Sequence, residues 1–370
     1  MTIGADDVIE LTKKLVNINS ESNKELKVAQ FIEKYLESLN IDCELMQFQE
    51  GRANVIAQIG KGEGLMMNGH IDTVPVGEKS AWKYGVDASE HDGKLYGRGT
   101  SDMKGAIACM LVALSRLNLK KTKRRLLLTF VAGEETGFDG SNYLLDNHKK
   151  LFEGVKFGVI GEATDMKIQI AQKGATDIRV SFKGKAAHGS KPHLGNSAIL
   201  MASRFINEYL KYAETFTVED KFLGKGTVNV GTIKGGTAVN VVPDSCEIAI
   251  DRRVVPGETP QMALDQVKDL LKKMKIDAEA QLIVGRNAFK LDEKSKIIQI
   301  VKKASGSETT MIGSTGYTEA ELYKAKANID SVVFGPGTKE IIHQANEYVD
   351  VDYLKRATDV YEKIIREWCL

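Results

Sequence analysis

The sequence predicts an α/β protein: a discontinuous domain with a mostly parallel mixed sheet flanked by helices, interrupted by an inserted ferredoxin-like α+β domain. Three observations carry this. "RRLLLTFVAG" and "FGVIGE" are apolar without period-two polarity and alternate with helical patterns, as strands buried on both faces do. "GATDIRVSFKG" instead alternates polar and apolar residues, as a strand with one wet face does. From about Asp292 the first pattern resumes, with "SVVFGPG" as a further buried strand.

Taken in order, the chain opens with two helical patterns. "MTIGADDVIELTKKL" is amphipathic and carries acids where a secretory signal needs bases. Leu26, Phe31, Ile32, Tyr35, Leu36 and Leu39 keep helical spacing in the second. "CELMQF", "NVIAQI" and "GLMMNGH" read as strands, and "GRGTSDMKGA" as a loop opening an apolar helix through Ile107, Met110, Leu111 and Leu114. Between Gly174 and Val284 the order is strand, helix, strand, strand, helix, strand, that of a ferredoxin-like sandwich. The expected division is therefore 1–173 with 285–370 for one domain and 174–284 for the other.

The 370 residues suffice for two cores. Lys plus Arg is 51 against 50 Asp plus Glu, and the one basic run, "KKTKRR", is short, so no nucleic-acid partner is expected. Cys43, Cys109, Cys246 and Cys369 form no CxxC pair, which argues against a cysteine zinc site and a disulfide framework. With no apolar run of membrane-spanning length, no membrane partner is expected and a cytoplasmic location is the simplest reading.

Acids and histidines gather where strands give way to loops. His70 and Asp72 end one strand, two residues apart. Asp102 lies in the loop before a helix, Glu134 and Glu135 follow a buried strand, Glu162 ends "FGVIGE", and His343 follows "SVVFGPG". Each has an ordinary use on its own, Asp102 as a helix N-cap for example. Together they deliver two imidazoles and five carboxylates to one sheet edge, where α/β proteins bind ligands. Carboxylates so crowded repel one another, and bound cations are the natural counter-charge. Mixed His and carboxylate ligands suit Zn, Co or Mn. Five ligands fit two ions sharing a carboxylate. If Glu134 and Glu135 are extended, they point different ways, so that one binds metal while the other stays free as a base.

The motifs "GHIDTVP", "EHDGKLYGRGTSDMKG", "GEETG", "IGEAT", "KAAHGSKPHLGNSA", "AVNVVPDSCEIAIDRRVVPGET" and "GPGTKEIIHQANEYV", in this order, resemble those of the M20 metallopeptidase/amidohydrolase family. The resemblance implies two divalent metal ions, Zn with Co or Mn as alternatives. His70 and Glu162 would bind one, Glu135 and His343 the other, and Asp102 would bridge both. Glu134 would be the general base and Asp72 would orient the His70 ring. The inserted domain would be a lid and dimerisation domain, its His188 reaching the site of the other subunit of a homodimer to stabilise the oxyanion. Asn240 and Arg253 would bind a substrate carboxylate; Thr318 and Gly337 would line the pocket. Arg253 is chosen over Arg252 because the family pattern is Asp-x-Arg. A cis peptide after Asp102 is implied too. Ala163 and Ile71 depart from the residues common there, Pro and Thr, without removing a ligand.

The implied activity is hydrolysis of the amide of a small-molecule N-acyl amino acid by water activated at the metal centre. A dipeptidase or carboxypeptidase with the same chemistry is the alternative, and a non-catalytic binding protein on this fold a third reading.

Overall fold

A computed structural model describes residues 7–370. The first six residues of the opening helical pattern lie outside them. Packing divides the chain into two compact units. The first takes the chain up to Ile170 with Leu291–Ile312 and Thr318–Leu370, the second Ala171–Lys290 with Gly313–Tyr317.

In the first unit the strands Arg125–Val131, Gly64–His70, Val155–Ile160 and Asp330–Val333 lie side by side and all run parallel. Arg52–Ile59 and Cys43–Gln49 extend the sheet antiparallel beyond Arg125–Val131. Ile168–Gln172 meets the other side, antiparallel to Asp330–Val333 at Gln169. The parallel strands are apolar because helices cover both faces: Leu65, Met66, Met67, Leu126, Leu127 and Leu128 are fully buried. Lys104–Ser115 is buried through all of its first eleven residues, which explains a helix apolar all round. It packs on the C-terminal helix Val351–Cys369 and the first helix Val8–Val16. That first helix is N-capped by Asp7, whose carboxylate accepts the Ile9 N–H at 2.9 Å, and it buries Leu11, Leu15 and Val16.

Parallel strands place their C-terminal ends on one edge. His70, the Gly133–Glu135 turn and Glu162 all leave the sheet there, because His70 is level with Val131 and Asn68 with Ile160.

The second unit is an antiparallel sheet in the order Thr227–Gly235, Ser245–Val254, Gly174–Lys183, Ala278–Gly285. This is the ferredoxin-like order. Alternation along Gly174–Lys183 puts Ile178, Val180 and Phe182 on the core face with Ile248 and Ile250. Helices Ala198–Glu214 and Pro260–Lys273 add Phe205, Tyr209 and Val267. Thr227–Gly235 is an edge strand.

Candidate metal centre

His70 ends its strand with a ring only 1% exposed. Nδ1 lies 3.0 Å from the Asp72 carbonyl oxygen and 3.5 Å from Asp72 Oδ1. A carbonyl only accepts, so Nδ1 carries a hydrogen and Nε2 is the atom turned into the site. Nε2 is 2.9 Å from Asp102 Oδ1 and 3.6 Å from Glu162 Oε1.

The Asp72 carboxylate, fully buried, accepts from the backbone N–H groups of Gly133 at 2.9 Å, Glu134 at 3.1 Å and Glu135 at 3.2 Å, and from Ser22 Oγ at 3.0 Å. It thereby holds the turn that presents the two glutamates. Gly133 opens that turn at φ +75°, a conformation that favours glycine. Burial alone would raise the Asp72 pKa, but the hydrogen bond and charge of His70, with the Glu134 N–H and Ser22, hold it below the usual range. Glu134 and Glu135 are not extended. They begin the short helix Glu134–Gly137, so their side chains diverge by about 100° rather than 180°. Nucleating the turn on Asp72 is what overrides the extended reading.

Asp102 lies between the imidazoles. Oδ1 faces His70, and Oδ2 is 3.1 Å from His343 Nε2, which is 3.0 Å from Glu135 Oε1. The next helix is N-capped by Met103 without a side-chain bond, so the Asp102 carboxylate serves the site and not a cap. The Asp102–Met103 peptide is cis.

The electrostatics are those of a cation site. Burial, with Asp102 nearby, pushes Glu162 up to about 7, against the pull of His70. Burial and Glu162 push Glu134 well above the carboxylate range. Burial disfavours charge on His70, yet Glu162, Asp102 and Asp72 raise its pKa well above normal. Hydrogen bonds that its ring donates to Asp102 and Glu135 carry His343 up to about 10. His70, Glu134 and Glu162 bring ligand atoms within 4.8 Å of one another, as do His70, Asp102 and Glu135. Imidazole nitrogens among carboxylate oxygens are the donor set of a divalent transition-metal site. The residues fit the metal.

Of the other residues singled out, Gly337 and Thr318 belong to the first unit, His188, Asn240 and Arg253 to the second. Gly337 is buried, the place of a Cβ filled by the Ser101 carbonyl and Ala163, so it lets the Asp102 and Glu162 segments approach. Thr318 is buried, its Oγ1 accepting the Ala320 N–H at 3.4 Å. In the second unit His188 is exposed, Nδ1 2.8 Å from Ser190 Oγ, and pairs by backbone with Val241. Asn240 is exposed, and its carbonyl accepts the Gly189 N–H at 2.7 Å. Arg253 is a third exposed and pairs with Asp251 at 2.8 Å. Arg252 is fully buried, bonded to Glu258 and stacked over Phe216.

A sequence model described as peptidase family M20/M25/M40 matches residues 66–367. The chain belongs to this family. It is accordingly a metal-dependent hydrolase. A protein named probable succinyl-diaminopimelate desuccinylase from Staphylococcus aureus is 28% identical over 404 aligned positions, covering 98% of this chain and 97% of that protein. An acetylornithine deacetylase from Myxococcus xanthus is 33% identical, covering 90% of each. Among solved structures, aminopeptidase PepT from Bacillus cereus aligns with a TM-score of 0.81 at 23% identity, over 99% of this chain and 100% of that one, a likeness of fold. No helix among the described residues is long and apolar enough to cross a membrane.

Proposed function

We propose that this M20 hydrolase cleaves the amide bond of N-acyl amino acids, using Glu134 as general base beside two divalent ions, with Zn favoured by the donor set. His70 and Glu162 hold one ion, Glu135 and His343 the other, and Asp102 is shared. The observation that carries the reading is the placement of Asp102, one oxygen toward His70 and Glu162, the other toward His343 and Glu135. The ions supply a Lewis acid to the scissile carbonyl. Glu134 takes a proton from the attacking water as the new C–O bond forms, then returns it to the amine nitrogen as the C–N bond breaks. Asp72 keeps Glu134 in place through the backbone it grips. The substrate class rests on the deacetylase and desuccinylase names of the relatives; the likeness to an aminopeptidase favours a peptide substrate as the second reading.

Residues 1–173 and 285–370 serve as the catalytic domain and 174–284 as lid and dimerisation domain. The exposed edge strand Thr227–Gly235, with Ile233 52% exposed and Leu200 on the neighbouring helix 62% exposed, supports a homodimer joined there. In it His188 stabilises the oxyanion of the partner's site, while Asn240, Arg253 and Thr318 contact substrate. The protein works in the cytoplasm.

The test is turnover of N-acetyl amino acids, N-succinyl-diaminopimelate, dipeptides and tripeptides with added Zn, Co or Mn. Preference for the acylated amino acids is expected. Preference for peptides replaces the substrate reading; no turnover of any substrate with any metal ends the enzymatic one.

A further inference from the structure

The proposed ligands Asp102 and His343 sit on separate loops, and something must hold those loops in register. Glu347, four residues beyond His343, is fully buried. Its Oε1 accepts three backbone N–H groups of the Asp102 loop: Gly99 at 3.0 Å, Ser101 at 2.9 Å and Asp102 itself at 3.0 Å. Oε2 takes the Arg98 Nη1 at 2.6 Å. Arg98 is in turn fixed against the Pro75 carbonyl at 3.3 Å and over the Trp82 ring at 5.2 Å. The two loops are tied again on either side of the carboxylate. Gly97 N–H donates to the Glu347 carbonyl at 3.0 Å, Ser101 Oγ to the Tyr348 carbonyl at 2.5 Å, and Thr338 N–H to Ser101 Oγ at 2.8 Å.

Converging N–H groups form a nest for an anion, and the anion here belongs to the chain. A carboxylate in such a nest fixes the backbone that donates to it. The Asp102 N–H is one of the donors, so the direction of the Asp102 side chain follows from Glu347. The segment carrying Glu347 also carries His343, so one residue sets both loops.

We propose that Glu347 is a positioning residue for the metal centre. It holds the Gly99–Asp102 backbone so that Asp102 Oδ2 and His343 Nε2 face one cation together, and thereby sets the affinity of the ion shared by Asp102, Glu135 and His343. This rests on the ligand reading above. Glu347→Gln is the informative change. Glutamine has a single acceptor oxygen, so either the N–H nest or Arg98 loses its partner.

The measurement is titration of metal-stripped protein with Zn²⁺ against a competing chromophoric chelator, together with the melting temperature of the metal-free protein. One of two binding steps should weaken by about 10–100-fold in Glu347→Gln, the usual scale for a group supporting a ligand, with the other step within a few-fold of wild type. Both steps unchanged, or both weakened alike with a fall in metal-free melting temperature, overturns the proposal; the second pattern is that of a merely structural acid. His343→Ala is the control. If it removes one step while Glu347→Gln moves neither, only the positioning role fails. If His343→Ala moves neither step, the ligand reading fails, and this proposal with it. Glu347→Asp keeps the charge but draws it back by one methylene; it carries the same expectation and replaces Glu347→Gln if that variant does not fold.

Discussion

The two halves of the proposed metal centre are built differently. On the His70 side the ring is 1% exposed, its Nδ1 is fixed by a carbonyl, and the neighbouring, fully buried Asp72 carboxylate grips three backbone N–H groups and a serine. On the other side the His343 side chain is 50% exposed, on a loop at φ +63°, with Glu135 and Asp102 as its partners. One half grows out of strand ends packed into the core, the other out of loops held by Glu347. The first should be preorganised with or without metal, the second should depend on what holds its loop, and an ion should enter the His70 half more tightly. Preorganised ligands lose less freedom on binding.

The largest effect expected is on chemistry in the buried half. Glu134→Ala should lower kcat by about 10²–10⁴-fold or more while bound Zn per chain stays near wild type; a variant that keeps most of its turnover removes Glu134 as base. His70→Ala against His343→Ala sharpens the contrast. Replacing His70 should remove the tighter Zn²⁺ step and lower the metal-free melting temperature, because it leaves Asp102 Oδ1 and Glu162 Oε1 without the imidazole that faces them. Replacing His343 should remove the weaker step and leave that temperature nearly unchanged. Equal effects of the two changes break the comparison. Asp72→Asn should cost kcat more than KM, since the turn carrying Glu134 loses one charged acceptor, worth about 1.5–3 kcal/mol per hydrogen bond. A change confined to KM contradicts that role. The smallest effect expected is at Ser22: loss of its single hydrogen bond to Asp72 in Ser22→Ala should slow turnover a few-fold at most.

The second unit teaches by contrast. His188 is exposed and hydrogen-bonds a residue two positions away, and among the described residues no contact comparable to those that fix His70 holds its ring. Complementation tests the proposed exchange. Glu134→Ala and His188→Ala chains, each nearly inactive alone, should regain activity when mixed if His188 acts across a dimer, and none if it acts within its own chain.

The parallel strands were legible because strands buried on both faces need continuous apolar runs, and their shared C-terminal edge followed from the topology. His70, Glu134, Glu135 and Glu162 could therefore be gathered from residue type and position at strand ends, while Asp102 and His343 stand on loops beyond them. The ferredoxin-like unit was legible from the alternation of Gly174–Lys183 and the order of its elements. Backbone hydrogen bonds between distant segments leave no such mark. Nothing in "GHIDT" tells that the Asp72 carboxylate reaches the N–H groups of Gly133, Glu134 and Glu135, nor that this winds the glutamates into a helical turn. Glu347 reads as one acid among the polar residues of "HQANEY". The stretch Gly313–Tyr317 packs with the second unit because the Ser314 carbonyl accepts the Lys173 N–H at 2.9 Å, a contact between residues far apart in sequence.

Everything proposed for the metal centre turns on the sharing of Asp102, and an anomalous difference map at the zinc edge from crystals grown with Zn²⁺ tests it directly. Two peaks about 3.5 Å apart are expected, one on each oxygen of Asp102, the first against His70 and Glu162 and the second against Glu135 and His343. A single peak at full Zn²⁺ loading, or two peaks that Asp102 does not join, would contradict it.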